Sequence, residues 1–123
     1  MARKDAIRLR LKKLFTGGQL ETLYSDRVKQ GVIWCLEQIT WEIDVATSGG
    51  NTRCRLYIEG HGYKHYLAEQ VNPVADRLYW YTKKPYLYPG ERLALDIDYA
   101  GSSTTAEMIA TGYWEKIKAG GGE

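Results

Sequence analysis

His61 and His65 are the chain's two histidines, four residues apart. On a helix that spacing would set both imidazoles on one face and suit zinc. Gly60-His61-Gly62 instead reads as the tip of a hairpin, and no third ligand accompanies the pair, so the spacing makes no metal site. Asp96 and Asp98 fall on one face of a strand, about 7 Å apart by strand geometry. Paired carboxylates hydrolyse glycosides, but alternating acids on an outward face also keep a strand soluble and guard its edge. The second reading is preferred. Cys35 lies in an apolar run with no adjacent base and so lacks what activates a thiolate nucleophile. Gly49-Gly50 reads as a turn and not as a phosphate loop. The sequence therefore predicts a chain that is not an enzyme, with no catalytic residue, no metal and no cofactor.

Binding is what remains. Tyr79, Trp80, Tyr81, Tyr86 and Tyr88 crowd around Lys83 and Lys84, and aromatics interleaved with lysines stack on bases or sugars. The same residue types anchor subunit interfaces. Arg53, Arg55 and Tyr57 face one way on a neighbouring strand and make a second patch. Ten tyrosines and four tryptophans against one phenylalanine suit half-buried sheet faces and interfaces better than a dry interior. Most of them must still fill the core of so small a fold.

These residues are positioned by a chain of 123 residues, enough for one domain with one core. Residues 1–18 read as a basic N-terminal arm, 19–118 as the folded domain and 119–123 as a glycine-rich tail. The arm holds Arg3, Lys4, Arg8, Arg10, Lys12 and Lys13 against Asp5 alone, although the whole chain stands at only +2. A basic arm on a mildly acidic body is suited to gripping something anionic. Within it Ile7, Leu9 and Leu11 alternate with a strand period, while Ile7, Leu11 and Leu14 also fit a helix. Gly17-Gly18 reads as a hinge. So short an arm is expected to bury its apolar face on a neighbouring subunit. Charges stand near the N-terminus where a signal peptide needs an apolar run, so secretion is not expected, and no apolar stretch reaches membrane-spanning length. Cys35 and Cys54 are read as reduced thiols in the core, with their pairing left open.

From Gln19 onward the pattern has period two. Val32 to Val45 places Ile33, Cys35, Ile39, Trp41, Ile43 and Val45 on one face and Val32, Trp34 and Leu36 on the other. The first half of this strand is thus apolar on both sides, as expected where a second element or subunit covers it. A bulge near Glu37-Gln38 would turn Glu37 outward. Next, Cys54, Leu56 and Ile58 point inward, with Arg53, Arg55, Tyr57 and Glu59 outward. A hairpin leads into Tyr63–Val71. Lys83-Lys84-Pro85 interrupts the following strand, and Pro89-Gly90 forms a turn with proline at its first corner. Leu93, Leu95 and Ile97 alternate with Ala94, Asp96 and Asp98, and a last strand runs from Ala106 to Ile117. About eight strands without a convincing helix predict an all-β, antiparallel, jelly-roll-like sandwich with an extended N-terminal arm.

The stretch Leu78-Tyr79-Trp80, then Leu87-Tyr88-Pro89-Gly90-Glu91-Arg92-Leu93, and the closing Thr111-Gly112-Tyr113-Trp114-Glu115 resemble small jelly-roll virion proteins of tailed bacteriophages. The similar part spans about residues 31–117. The resemblance implies a virion structural role, as a capsid decoration or cement subunit or in a connector or tail. Partners would be further copies of the chain, as a trimer or other ring, and the major capsid protein, after assembly in the host cytoplasm. Arms in such proteins reach neighbouring subunits, which would give that task to Arg3, Lys4, Ile7, Arg8, Leu9, Arg10, Leu11, Lys12 and Lys13. Val32, Trp34, Leu36, Tyr79, Tyr81, Tyr86 and Tyr88 make the candidate interface. The arm's charge is a departure that also permits nucleic acid, a weaker reading beside an acidic body. A carbohydrate- or receptor-binding head of a tail fibre is the alternative, and no membrane partner is expected.

Overall fold

The computed structural model describes residues 4–15, 20–44, 52–71, 73–98 and 104–117. Nine strands run through them: β1 (Lys4–Phe15), β2 (Leu20–Tyr24), β3 (Val32–Ile43), β4 (Arg53–Gly60), β5 (Tyr63–Val71), β6 (Tyr79–Tyr81), β7 (Tyr86–Leu87), β8 (Arg92–Asp98) and β9 (Thr104–Lys116). One sheet, A, has the order β1-β9-β3-β6, with β7 also on β3, and the other, B, has the order β2-β8-β4-β5. All these pairings are antiparallel. Because β6 and β7 both pair with β3, they occupy the place of one interrupted strand. Counted so, there are eight, alternating between sheets in the jelly-roll manner. The expected all-β sandwich is the fold. Among the described residues no helix is long and apolar enough to cross a membrane.

The period-two runs build the core between the sheets. Ile39, Trp41 and Ile43 of β3 and Ala106, Met108 and Ala110 of β9 face Cys54, Leu56 and Ile58 of β4 and Leu93, Leu95 and Ile97 of β8, all buried. The break between β6 and β7 has local causes. Lys84 takes a positive φ of 54°, rare for an L side chain, and the carbonyl of Pro85 accepts the Leu36 N–H at 3.1 Å. At the turn before β8, Gly90 has φ of 88° and the Glu91 N–H closes onto the Tyr88 carbonyl at 3.0 Å. Proline at the first corner and glycine at the second are what this turn requires.

Two expectations change. The segment read as a separate arm is, over Lys4–Phe15, a strand of sheet A, paired with β9 from Lys4↔Glu115 to Phe15↔Thr104. Its apolar face finds burial within its own sandwich: Ile7 and Phe15 are buried, and Leu9 and Leu11 pack against the core. The strand period won over the helical one because β9 offers twelve partners in register. Arg3 and the Gly17-Gly18 hinge lie outside the described residues, as does the tail.

The second change is on β3. The bulge falls where expected, with the register shifting between Leu36 and Gln38 and Glu37 exposed. An extra residue reverses which side chains share a face. Val32, Trp34 and Leu36 therefore lie on the inner face with Ile39, Trp41 and Ile43, and Ile33 and Cys35 turn outward. The two-sided apolarity is the signature of the bulge. Cys35 and Cys54 are both buried, stand in different sheets and form no disulfide. Burial pushes the Cys54 thiol up to about 12.

Candidate interaction surfaces

The outer face of sheet A is assembled by register. Ala6, Tyr113, Cys35 and Tyr86 line up across β1, β9, β3 and β7, and Arg10, Ile109, Thr40 and Trp80 line up across β1, β9, β3 and β6. Tyr86 is 55% exposed, and Tyr88, two residues on, is also exposed. Tyr113 and Cys35 bond to each other, which holds the phenol above the usual tyrosine range. Arg8, Arg10 and Lys12 form a basic stripe along β1, where cations also discourage edge-on strand pairing. Beside it, Glu107 and Glu42 pair across β9 and β3 near Lys12, and Glu115 stands at the far end of β9 opposite Lys4. Arg10 Nε donates to Glu107 Oε2 at 2.8 Å between β1 and β9.

The residues singled out from sequence thus divide. Tyr86 and Tyr88 are on the surface, as are Arg8, Arg10 and Lys12. Tyr79 and Tyr81 lie opposite Trp41 and Ile39 and pack half-buried against the core. Leu36 is fully buried. Val32 and Trp34 are half-buried and, with Trp114, line a groove of about 320 Å³ beside Asp26, Arg27 and Lys29. Lys13 points to the core side, where its Nζ donates to the Thr22 carbonyl at 3.1 Å and sits over the Phe15 ring. Lys4 is placed by its backbone pairing with Glu115.

Sheet B carries a polar network on its outer face. Asp96 faces outward in register, as its alternation predicts, yet it is only 6% exposed. Its Oδ1 accepts hydrogen bonds from the Tyr57 hydroxyl at 2.7 Å and the Thr22 hydroxyl at 2.6 Å. Burial, then the bond to Asp96, raises the Tyr57 phenol far above its ordinary value. Glu59 accepts from Arg92 Nε at 2.7 Å and Arg27 Nη2 at 3.0 Å, and the Arg92 bond leads in holding its carboxyl below the usual range. Arg92 also stands 3.6 Å over the Tyr24 ring. Arg53 reaches Asp98 at 3.5 Å and Arg55 reaches Glu69 at 2.9 Å. The charges here are matched among themselves.

A third feature lies at the flank where β5 and β6 leave the sandwich open. A cleft of about 280 Å³ is lined by Ala68, Glu69 and Gln70 on one side and Trp41 and 77–80 on the other. Trp41 and Tyr79 stack with centroids 5.7 Å apart, and the Val74 N–H donates to the Tyr79 hydroxyl at 2.9 Å. Among the described residues Trp41 Nε1 is buried and meets no hydrogen-bond partner, a deficit that ordinarily costs about 1–3 kcal/mol. Sequence reasoning counted Trp41 as core, which it is. Nothing in a period-two pattern reports where an indole N–H ends up. His61 and His65 sit at the hairpin and on β5, and among the described residues no group of three or more His, Cys, Asp or Glu is placed to hold a metal.

No family model and no curated protein matches the chain. Among solved structures, the chain is similar to one described as "Bacillus endospore appendages form a novel family of disulfide-linked pili". That match has a TM-score of 0.50 and 8% identity, and it covers 96% of this chain and 92% of the other. At such identity the likeness is one of fold.

Proposed function

We propose that this chain is a non-enzymatic structural subunit that assembles with further copies of itself, as a decoration or cement subunit on a tailed-phage virion. The outer face of sheet A carries the assembly part of this reading. Exposed Tyr86 stands at one side of the face, with exposed Tyr88 two residues beyond it in the chain, and the row from Tyr86 through Cys35 and Tyr113 leads to the basic stripe of β1. A face with aromatic anchors beside a basic stripe suits contact with the next copy in a ring. Aromatic residues at such a face are the residue types that dominate interface energetics.

The virion setting rests on the resemblance of residues 31–117 to small jelly-roll virion proteins. The pili named for the structural neighbour are a second setting in which this fold belongs to a polymer. Here the thiols are buried, so a disulfide-linked polymer would need them uncovered. The test is to raise an antibody to the chain and probe purified particles. High copy number on the capsid is the expected result. Absence from particles, with the protein present in the same cells, overturns the virion part and leaves assembly to be judged by oligomeric state.

A further inference from the structure

Each sheet of a sandwich ends in strands that lack a partner on one side, and native proteins guard such edges with charge, breaks or brevity. Among the described residues three of the four edges are guarded in this way. β1 carries Arg8, Arg10 and Lys12. β2 is five residues long, and its Thr22 carbonyl is taken by Lys13 Nζ. The edge made by β6 and β7 is broken at Lys83-Lys84-Pro85. β5 differs. It runs for nine residues, Tyr63–Val71, and pairs with β4 alone. Tyr63, Tyr66 and Val71 along it are each about half exposed. Its one irregularity is a bulge: Tyr57 opposes Tyr66 and Leu56 opposes Ala68, which leaves Leu67 as the extra residue.

The bulge decides what β5 can meet. Lys64 stands over the Tyr57 ring, Tyr66 packs against the same ring, and Glu69 pairs with Arg55 at 2.9 Å, so these three lie on the outer face of sheet B. Tyr63, His65, Ala68 and Gln70, opposite Gly60, Ile58, Leu56 and Cys54, lie on the inner side. In a regular strand residues 64 and 69 would fall on opposite faces. The extra residue puts both on one face. We propose that β5 pairs antiparallel with β5 of a second copy, about a two-fold axis level with Tyr66 and Leu67, setting Lys64 opposite Glu69 and His65 opposite Ala68. This register keeps inner residues with inner and outer with outer. Each Glu69 then stands between its own Arg55 and Lys64 of the second copy, and the two-fold axis repeats the match. Moving the register by one residue sets inner against outer, and moving it by two sets Lys64 against Leu67 or Val71 and loses the charge match. A bulge ordinarily bars an edge to a flat strand, but two copies of one bulge meeting at the axis fit each other. One strand edge buries less than the roughly 1,200 Å² of a stable contact. The inference therefore rests on assembly through sheet A: copies gathered there are joined ring to ring through β5.

Paired cysteines read the register. Directly opposed residues of antiparallel strands have Cα atoms about 4.5–5.5 Å apart, within reach of a disulfide. Residues 64 and 69 of one chain stand roughly 15 Å apart along the strand and cannot link to each other. The native thiols are buried and stay out of the reaction. The full chain carrying Lys64→Cys and Glu69→Cys together is oxidised by air with a copper catalyst and read on a non-reducing gel. The expected result is a covalent dimer, formed about tenfold faster or more than from either single variant. Lys64→Cys with Val71→Cys, two residues out of register, should link no faster than the singles. All three positions are exposed, so the melting transition of each variant should stay in place. Native mass of the unmodified chain reports the sheet A ring separately. A ring without the covalent dimer, or a dimer formed as fast by the single variants, overturns the β5 pairing and leaves the ring standing. A covalent dimer in register from a chain that forms no ring supports the pairing and overturns assembly through sheet A. Neither ring nor dimer overturns both.

Discussion

Gly112 of β9 lies so close to Cys35 of β3 that a Cβ built on it would stand 2.1 Å from the Cys35 carbonyl oxygen and 2.8 Å from Leu36 Cα. Both contacts are with backbone, which cannot swing aside. The approach occurs next to the bulge, where β3 changes which face it turns to the core. Gly112→Ala is therefore expected to push β9 and β3 apart, at a cost of about 1–3 kcal/mol or more. Urea unfolding measures it: the midpoint should fall with the slope unchanged. An unshifted midpoint would mean that the strands are not held this closely.

The Asp96 network gives a second expectation. Tyr57→Phe removes one of two donors from a nearly buried carboxylate, and Asp96→Asn removes the charge they serve. Each change should destabilise by about 1.5–3 kcal/mol. The pair belongs to one network, so the double variant should lose less than the two singles combined. Simple additivity would show that the two groups do not act together.

Glu59 sets a dependence on acid. Its folded carboxyl is held below the ordinary 4.5 by Arg92 and Arg27, so on acidification the unfolded chain takes up this proton first. The stability it contributes is complete above pH 4.5 and is lost as pH falls through the lower folded value. Glu59→Gln should lower the melting temperature at pH 7 by a few degrees and flatten the acid limb below pH about 4.5. The two melting curves should converge at the lowest pH. A difference that instead grows as pH falls would contradict the assigned sign.

Deleting residues 2–16 separates the arm reading from the observed strand. An arm could be removed with the sandwich intact. Loss of β1 instead takes buried Ile7 and Phe15 from the core and bares the edge of β9. Removing one large buried aromatic alone costs about 3–5 kcal/mol. Circular dichroism of the truncated chain should show a melting transition lowered by well over ten degrees, or none. A native-like transition would restore the arm.

How much of this was legible follows from what each residue's pattern encodes. Cys54, Leu56 and Ile58 against Arg53, Arg55, Tyr57 and Glu59 state both strand and face, and β4 is built so. Glu37 among apolar residues marks the bulge, but only the register on β9 shows that the bulge turns Val32, Trp34 and Leu36 inward. The composition of Lys4–Phe15 described a basic stripe and an apolar stripe. It contains nothing to say that the partner strand lies 89 residues away (Phe15↔Thr104) to 111 residues away (Lys4↔Glu115) in the same chain rather than in a neighbour. Asp96 was correctly placed outward, yet burial of an outward residue depends on Tyr57 and Thr22 arriving from two other strands. The cleft at Trp41 depends on where β5 and β6 end relative to each other, a matter of tertiary geometry that periodicity does not report.

The central claim is that the outer face of sheet A binds further copies of the chain, and native mass measured by sedimentation or native mass spectrometry tests it most directly. The unmodified chain should form a discrete closed oligomer, a trimer or larger ring, at micromolar concentration. Tyr86→Glu, which places a charge in the exposed aromatic row without touching the core, should dissociate it to monomer while leaving the melting of the sandwich intact. A monomer from the unmodified chain, or an oligomer that Tyr86→Glu does not weaken, would contradict the account.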